Sequence, residues 1–252
     1  MTRIILSGCN GTMGKVITNC IQSRENCEIA AGVDLNTAAE NGYPVFSKIE
    51  DCNVKADVIL DFSHPSALSG TLAYAKGHHI PAVIATTGLS SQQIAYIHEV
   101  SEFVPLFFSA NMSLGVNLVA ELARKAAAVL SDTFDIEILE KHHNKKIDAP
   151  SGTALMLADE INDALGGSKE YVFDRHSVSK RREPKEIGIQ SVRGGTIVGE
   201  HEILFAGPDE LISIKHTAMS KEIFATGAVN AALFVARQPN GLYSMKEMIA
   251  EV

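Results

Sequence analysis

Long apolar runs are missing from this chain of 252 residues. A membrane-spanning helix needs about 20 consecutive apolar residues, and no run in the sequence approaches that length. The N-terminus enters a strand-like segment almost at once, without the charged start and apolar core of a secretory signal peptide. We therefore expect neither a membrane span nor a signal peptide, and the length fits one large domain or two modest ones.

The chain also has fewer basic than acidic residues. Lys and Arg together number 22 against 30 Asp and Glu, which gives a formal net charge of −8. Such an acidic chain is a poor partner for nucleic acid or for an anionic membrane. The basic run Lys180-Arg181-Arg182 is expected to be a solvated loop. A small molecule is therefore the favoured class of partner.

Cysteines are few, and none of them has a paired C-x-x-C spacing. Cys9, Cys20, Cys27 and Cys52 all lie within the first 52 residues of the chain. This distribution favours free thiols in a reducing cytoplasm over disulfides or a zinc site. Cys9 lies inside a glycine-rich loop, where we expect it to serve mainly as a small filler residue.

That glycine-rich loop is the first motif with chemical content. Residues 3–7 read as a buried strand, Gly8-Cys9-Asn10-Gly11-Thr12-Met13-Gly14 follows at once, and residues 15–23 read as an amphipathic helix. Strand, glycine turn and helix form the context of a dinucleotide-binding loop. Its glycines would permit the turn, the approach of a pyrophosphate and close helix packing. The spacing G-x-x-G-x-x-G is not the common one, so an ordinary βα turn stays open as the alternative.

An acidic residue stands where a dinucleotide site needs one. The predicted strand 28–33 ends in Asp34, about twenty residues past the loop, where an acid hydrogen-bonds the adenosine ribose. Leu35 and Asn36 follow it, whereas a site for the extra phosphate of NADPH usually places Arg or Lys there. We therefore predict that NADH is preferred and that NADPH is possible.

Strands and helices alternate up to about residue 113, which implies a parallel, doubly wound, Rossmann-like sheet. The predicted strands are 3–7, 28–33, 56–62, 82–85 and 105–108; further helices span 66–76, capped by Ser66, and begin at Ser90, with Gln93 in a capping box. Ligands of such sheets lie beyond the carboxyl ends of the strands. We expect one crevice to be lined by Asp34, Phe62-Ser63, Thr86-Thr87 and Ala110-Asn111.

After residue 113 the pattern changes to that of an α+β domain. A long helix is predicted over 114–130, a strand over 134–139 and a helix over 154–165. The strands 187–193, 197–205 and 210–216 are joined by short turns, so we expect them to be antiparallel neighbours. An Ala-rich helix over 221–235 is predicted to be the last.

The segment 140–154 carries two imidazoles, three ammonium groups and a Ser-Gly-Thr step at a predicted helix start. Titratable donors followed by unpaired backbone N–H groups are suited to holding a dianion and protonating it. A metal site is the rival interpretation. It would need more ligands than Asp148 adds to the two histidines, and the adjacent lysines would repel a cation. We therefore expect no metal.

The sequence resembles the dihydrodipicolinate reductase family from end to end. The run His142-His143-x-x-Lys146-x-Asp148-Ala149-Pro150-Ser151-Gly152-Thr153 is specific to that family. The other matches are Gly8-x-x-Gly11-x-Met13-Gly14, Asp61-Phe62-Ser63, Thr86-Thr87-Gly88, Ala110-Asn111-x-Ser113-x-Gly115-Val116-Asn117, Glu140, Ser191-Val192-Arg193 and Val198-Gly199-Glu200-His201. Two departures are mild: Ala85 stands where the family often has Gly, and Leu35 where many members carry Arg.

The resemblance implies a domain plan and a reaction. A dinucleotide-binding domain over 1–113 would be completed by 222–252, and 114–221 would form a domain for substrate binding and tetramerisation. NADH or NADPH would give a hydride to a cyclic imine with two carboxylates, in lysine and diaminopimelate biosynthesis. The assembly would be a homotetramer.

The resemblance also assigns site residues. His142 and Lys146 are the acid–base candidates, and we favour Lys146 as the proton donor because the neighbouring Lys145 and His143 would ease its loss of a proton. The substrate carboxylates would be held by His143, Lys146, Ser151, Gly152 and Thr153. The cofactor would be bound by Gly8, Cys9, Asn10, Gly11, Thr12, Met13, Asp34, Phe62, Ser63, Ala85, Thr86, Thr87, Ser109, Ala110, Asn111 and Met112.

Two other functions remain open at this point. One is a different NAD(P)-dependent dehydrogenase of imino or oxo acids with the same two-domain plan. The other is a nucleotide sensor that keeps the fold without the chemistry. Loss of His142 or Lys146 would have indicated the sensor, and both residues are present.

Overall fold

The computed structural model describes residues 1–109, 111–130 and 133–251. These residues form two compact units. The first unit comprises Met1–Leu114 and Lys221–Val252, and the second comprises Gly115–Ser220. Among the described residues, no helix has both the length and the apolar character that a membrane crossing requires.

Strands and helices are numbered in chain order. The strands are β1 (Thr2–Ser7), β2 (Cys27–Val33), β3 (Val45–Phe46), β4 (Val58–Asp61), β5 (Ala82–Ile84), β6 (Pro105–Phe108), β7 (Asp135–His142), β8 (Glu170–Val172), β9 (Glu186–Arg193), β10 (Gly199–Ala206), β11 (Leu211–Ala218) and β12 (Gly241–Tyr243). The α-helices are α1 (Thr12–Gln22), α2 (Leu68–His78), α3 (Ser91–Ser101), α4 (Leu114–Leu130), α5 (Gly152–Ala164), α6 (Glu222–Val235) and α7 (Met245–Ala250).

The first unit is built on a seven-stranded sheet in the order β12-β6-β5-β4-β1-β2-β3. Every strand pair in it is parallel. This confirms the predicted doubly wound sheet. Its strand order also brings the carboxyl ends of β2, β1, β4, β5 and β6 side by side along one edge.

Helices cover both faces of this sheet because successive strand side chains point to opposite sides. On β1, Ile4 and Leu6 pack with residues of α1 and α6, whereas Ile5 packs with residues of α2 and α3. All three side chains are fully buried. The near-continuous apolar run in β1 is therefore the expected signature of a strand buried on both faces.

The second unit contains a mixed sheet in the order β11-β10-β7-β9-β8. Its core joins α4 and α5 to one face of this sheet, with Ile136, Ile138, Ile187 and Ile203 among the buried side chains. This confirms an α+β unit after the parallel sheet.

One predicted strand pairing in this unit is wrong. β10 and β11 are antiparallel neighbours, as expected. However, β7 lies between β9 and β10, parallel to the first and antiparallel to the second. Short connections predict neighbouring hairpin strands, but β7 is apolar enough on its inward face to take the central position. Its insertion brings Glu140, Ser191 and His201 into register across three strands.

Two local predictions are wrong, and three short strands were missed. Ser66 does not cap a helix; Pro65–Ala67 is a 3-10 turn capped by the His64 side chain, and α2 begins at Leu68. The helix predicted to be last is followed by β12 and α7. β3, β8 and β12 were not predicted, because strands of two or three residues carry too little periodicity to detect.

The basic run at residues 180–182 is not simply solvated. Arg182 donates to Glu137 Oε1 at 3.1 Å and to the carbonyls of Ile136 and Glu186 at 3.0 and 2.6 Å. Arg175 pairs with the buried carboxylate of Glu186 at 2.7 Å. A buried carboxylate such as that of Glu186 needs cationic partners. Arg175 and Lys180, in the loop between β8 and β9, supply them.

Candidate active site

The glycine loop is shaped by close backbone approaches. Gly8 has a φ of +78°, and a Cβ there would lie 2.5 Å from the Phe62 carbonyl oxygen, at the end of the neighbouring strand. A Cβ on Gly14 would overlap the carbonyl oxygens of Gly8 and Cys9. Gly11 is the N-cap of α1 and offers no side-chain cap. The first N–H groups of α1 are therefore left for an anionic ligand such as a pyrophosphate.

Asp34 ties the end of β2 to this loop. One of its carboxylate oxygens accepts from the Asn10 backbone N–H at 3.0 Å, and the other accepts from the Asn36 N–H at 2.9 Å. Because each carboxylate oxygen can accept a second hydrogen bond, both can still bind a ribose hydroxyl. Leu35 beside it is 93 % exposed.

Asp61 organises the next two strand ends, a role that sequence reasoning did not assign. It is fully buried at the end of β4. It accepts from Ser63 Oγ at 2.6 Å and from Thr86 Oγ1 at 2.8 Å. These two predicted cofactor residues therefore direct their hydroxyl hydrogens inward, which fixes the loops after β4 and β5. The sequence feature that could have predicted this role is an acidic residue at the end of an apolar strand, directly before Phe62-Ser63.

Two other predicted cofactor residues have their side chains in the core. Cys9 is 1 % exposed and Met112 is 5 % exposed, so each presents its main chain alone to the sheet edge. Burial, reinforced by the charge of Asp34, raises the pKa of the Cys9 thiol to about 11. The thiol is therefore a filler at neutral pH, as the sequence suggested.

The remaining predicted cofactor residues lie at the same edge. Ser109 Oγ donates to the Asn111 carbonyl at 3.0 Å, and the Asn111 side chain accepts from the Ser113 N–H at 2.8 Å. Ala110 lies outside the described residues. The other predicted cofactor residues lie in the loops that follow β1, β4 and β5 or directly beside them. They are Thr12, Met13, Phe62, Ala85 and Thr87.

The second unit contains a cluster centred on Glu140, a fully buried carboxylate on β7. Arg193 from β9 binds it with two N–H···O bonds, each 2.7 Å long. His142 Nδ1 lies 2.6 Å from Oε2, and the Ser151 backbone N–H donates to Oε1 at 3.1 Å. One carboxylate thus joins β7, β9 and the start of α5.

The electrostatics of the cluster favour an ionised Glu140. Burial alone would raise its pKa, but hydrogen bonds from Arg193 and His142 outweigh burial and hold the pKa at about 2. A bidentate guanidinium is the strongest such partner in proteins. Glu140 therefore stays negatively charged over the working pH range.

Ser151 is both the N-cap of α5 and the partner of a buried histidine. Its Oγ accepts from the Ala154 N–H at 3.2 Å and lies 2.9 Å from His201 Nε2. Burial, together with the neighbouring His142, lowers the pKa of His201 to about 4. The rings of His142 and His201 meet edge to face, with centroids 5.2 Å apart. His201 is therefore a neutral member of the cluster.

Lys146 and His143 belong to the segment that connects β7 to α5. Lys146 Nζ pairs with Asp148 at 2.8 Å, and the side chains are 22 % and 58 % exposed respectively. The Lys146 N–H also donates to the His143 carbonyl at 3.2 Å. His143 Nδ1 is buried and has no hydrogen-bond partner within the described part of the chain. An oriented ammonium and a buried imidazole nitrogen are thus available for an anionic ligand.

Of the six residues predicted for the chemistry and for the substrate, His142 and Ser151 are joined through Glu140, and Lys146 lies close enough to His201 to affect its pKa. His143, Gly152 and Thr153 are chain neighbours of these residues. Sequence reasoning assigned no role to Glu140, Arg193 or His201, which hold that group in place. Glu140 and His142 are separated by one residue on a strand, so both point to the same side. The sequence spacing alone could therefore have predicted that Glu140 and His142 lie close together. The pairing of Glu140 with Arg193 could be found only once the order of the strands was known.

A glycine loop on a parallel sheet in one unit and a cluster of titratable side chains in the other are typical of a nicotinamide-dependent oxidoreductase. Models of the dihydrodipicolinate reductase N-terminus and C-terminus match residues 2–112 and 115–249. The chain belongs to the dihydrodipicolinate reductase family.

Individual relatives agree with this assignment. A protein named 4-hydroxy-tetrahydrodipicolinate reductase from Clostridium novyi (strain NT) is 48 % identical over 249 residues, covering 99 % of this chain and 98 % of its own. One of the same name from Caldanaerobacter subterraneus subsp. tengcongensis is 49 % identical, with the same coverage of both chains. The dipicolinate-bound dihydrodipicolinate reductase from Paenisporosarcina sp. TG-14 has a TM-score of 0.83 at 26 % identity, with 99 % of each chain covered.

Proposed function

We propose that this protein reduces 4-hydroxy-tetrahydrodipicolinate to tetrahydrodipicolinate with NAD(P)H, in lysine and diaminopimelate biosynthesis. The relatives' shared name supports the reaction. Exchanging a ring hydroxyl for hydrogen consumes one hydride and one proton and releases water. The hydride comes from the bound nicotinamide, and this chain must hold the dianion and handle the protons. Its acid–base cluster beside a helix start is the observation that carries the proposal.

The two substrate carboxylates bind at the start of α5. The N–H groups of Gly152 and Thr153 lie in the first turn, where the helix dipole favours an anion. Lys146 and His143 add a cation and a buried imidazole nitrogen. Asp148 is mostly exposed, so a substrate carboxylate can take its place beside the Lys146 ammonium. The dipicolinate held by the Paenisporosarcina relative is a dianion of this class.

Lys146 is the proposed proton donor to the reduced ring. Its side chain is mostly buried but ends in an ion pair that the substrate can displace. His142 is the second acid–base group, held by Glu140 at 2.6 Å. Two such groups suit a reaction in which the hydroxyl leaves as water and the ring is protonated.

The first unit fits a nicotinamide dinucleotide, and we assign it that role. The glycine loop leaves room for a pyrophosphate at the start of α1, and Asp34 retains acceptor capacity for a ribose. An ionised Asp34 with the exposed, uncharged Leu35 beside it supports a preference for NADH, with NADPH accepted more weakly. The proposed binding set is the one predicted from sequence, with Cys9 and Met112 contributing main-chain groups.

We also propose a cytoplasmic homotetramer assembled through the second unit. β11 is an edge strand of its sheet, and Leu211 at its start is 61 % exposed. Val192 and Val198 of the same unit are also exposed. Exposed edges of this kind need cover. The four cysteines are free thiols, which agrees with a reducing compartment.

The dianion site can be tested with Thr153→Val, which removes a hydroxyl and keeps the shape. We expect the KM for the substrate to rise at least about tenfold, which is about 1.4 kcal/mol, with little change in the KM for NADH. Pyridine-2,6-dicarboxylate should compete with the substrate. Thr133→Val, at an exposed position of the same unit, is the control. An absence of competition in folded protein would remove the dicarboxylate site from this segment.

A further inference from the structure

The hydrogen bonds of Glu140 dictate where His142 carries its proton. Glu140 accepts two bonds from Arg193 and one from the Ser151 N–H. As an ionised carboxylate it has no hydrogen to give. The 2.6 Å contact with His142 is therefore a bond donated by Nδ1. The neutral ring must then be the Nδ1–H tautomer, with its lone pair on Nε2.

The neighbouring strand leaves space beside that second nitrogen. A Cβ built on Gly199, the first residue of β10, would lie 3.1 Å from His142 Nε2. The backbone of Gly199 does not adopt the left-handed conformation that requires glycine. Its lack of a side chain is thus explained by the imidazole and not by the turn. Any larger residue would crowd Nε2.

We propose that Glu140 is a positioning residue that holds His142 as the Nδ1–H tautomer. The Nε2 lone pair then takes a ring C–H proton and returns it to the leaving hydroxyl, which departs as water, while Lys146 protonates the ring that the hydride has reduced. Gly199 keeps Nε2 open. This inference rests on the proposed function of the site. It adds that Nε2 is the reacting nitrogen of His142, and that Glu140 and Gly199 determine its protonation and its access.

The remaining groups around the ring are consistent with this arrangement. Arg193, from β9, donates to both oxygens of Glu140 and to the carbonyl of Asp148 at 2.5 Å. His201, from β10, is neutral and has its Nε2 directed at Ser151. Lys146 is paired with Asp148. None of these three is hydrogen-bonded to His142 in the described structure, so Glu140 sets the orientation of the ring.

Glu140→Gln tests the positioning role. If the NH₂ group of the new glutamine took the Oε1 position, it would face two groups that can only donate, the Ser151 N–H and Arg193. In the Oε2 position it would face Arg193 and the His142 imidazole, and Nδ1 of that ring can accept a hydrogen bond once its proton has moved to Nε2. The Gln NH₂ should therefore point at His142 and shift its proton to Nε2. We expect kcat to fall by about tenfold or more, while NADH affinity and inhibition by pyridine-2,6-dicarboxylate change little.

A spectroscopic measurement separates positioning from a general loss of structure. ¹⁵N NMR of histidine-labelled protein, with His142 assigned through a His142→Gln variant, reports which ring nitrogen carries the proton. Wild type should show the Nδ1–H tautomer at neutral pH, and Glu140→Gln should show Nε2–H. Glu170→Gln removes an exposed carboxylate paired with Lys185 in the same unit and should change neither property.

Gly199→Ala gives a second test that leaves the buried charges in place. We expect kcat to fall by about tenfold, with the tautomer of His142 unchanged. Gly77→Ala, at a helical position with no atom within 4 Å of the new Cβ, is the matched control.

The outcomes separate this inference from the proposed function. If folded wild type does not reduce the substrate, the proposed function fails, and the NMR result still decides the tautomer. The inference is overturned if wild-type His142 is the Nε2–H tautomer. It is also overturned if Glu140→Gln keeps wild-type kcat, or if inhibitor affinity falls in step with kcat.

Discussion

At the scale of single residues, the ion pair between Lys146 and Asp148 is the most informative contact. The ammonium is directed by a carboxylate that is itself mostly exposed. A substrate carboxylate that displaces Asp148 would therefore meet an ammonium already in place, with little loss of side-chain entropy on binding. This contact explains why the segment contains an acid among its basic residues.

The first prediction concerns the proton donor. Lys146→Ala should lower kcat by on the order of 10² to 10⁴, the usual contribution of a positioned acid. NADH binding should stay near that of wild type, because we place the cofactor on the first unit. Steady-state kinetics and NADH fluorescence titration measure the two effects. Lys125→Ala, which removes an exposed lysine from α4 of the same unit, is the control, and turnover by Lys146→Ala within a few-fold of wild type would refute the assignment.

The second prediction concerns cofactor choice at Asp34 and Leu35. Wild type should have the higher kcat/KM with NADH, since an ionised Asp34 repels the extra phosphate of NADPH. Leu35→Arg should shift the ratio toward NADPH, because the exposed position lets a guanidinium reach that phosphate. Leu35→Gln supplies an uncharged control. A wild-type preference for NADPH of about tenfold or more, about 1.4 kcal/mol, would contradict this account.

At the scale of elements, the bond between Ser151 and His201 joins α5 to β10. His201 is almost fully buried, and it is surrounded by His142, Glu140, His216 and Lys146. Its neutral form is the one that fits, because burial lowers its pKa and the Ser151 hydroxyl can donate to or accept from a neutral ring.

The third prediction follows from the lowered pKa of His201. Folded His201 has a pKa of about 4 against 6.5 for the unperturbed group, so the unfolded chain binds more protons between these values. Stability is therefore full above pH 6.5 and falls as the pH drops toward 4, by about 3 kcal/mol at 1.36 kcal/mol per unit.

Urea unfolding at fixed protein concentration across this pH range measures the effect. His201→Asn, which removes the titrating group, should show a shallower loss of stability than wild type. Glu140 titrates lower, with a pKa of about 2 in the folded chain against 4.5 for the unperturbed group, so it contributes little in this window. Equal slopes for variant and wild type above pH 4.5 would show that His201 is not the group responsible.

The elements also show what the sequence could and could not predict. Strands with long apolar runs and helices with clear caps, such as α3 with its Ser90–Gln93 capping box, were predicted correctly. The central place of β7 was not, because pairing of distant strands depends on tertiary packing rather than on loop length. For the same reason the motif predicted His142 and Lys146, whereas Arg193 and His201 reach the cluster through strands far along the chain.

At the scale of the whole molecule, the exposed edge of the second sheet leads to the fourth prediction. Light scattering of purified protein at micromolar concentration should give four times the chain mass of 27.1 kDa. Leu211→Lys, which places a charge on the β11 edge, should weaken the assembly. A wild-type mass near that of one chain would exclude the tetramer.

The central claim is that the chain transfers a hydride to a cyclic imine dicarboxylate, and cofactor labelling tests it most directly. Purified protein is incubated with NADH deuterated at both C4 positions and freshly prepared 4-hydroxy-tetrahydrodipicolinate. Mass spectrometry of the product should show tetrahydrodipicolinate carrying one deuterium from the cofactor, formed in equal amount with the NADH consumed. The proposed reaction would be contradicted by folded protein that yields unlabelled product, or that oxidises no NADH beyond the rate without substrate.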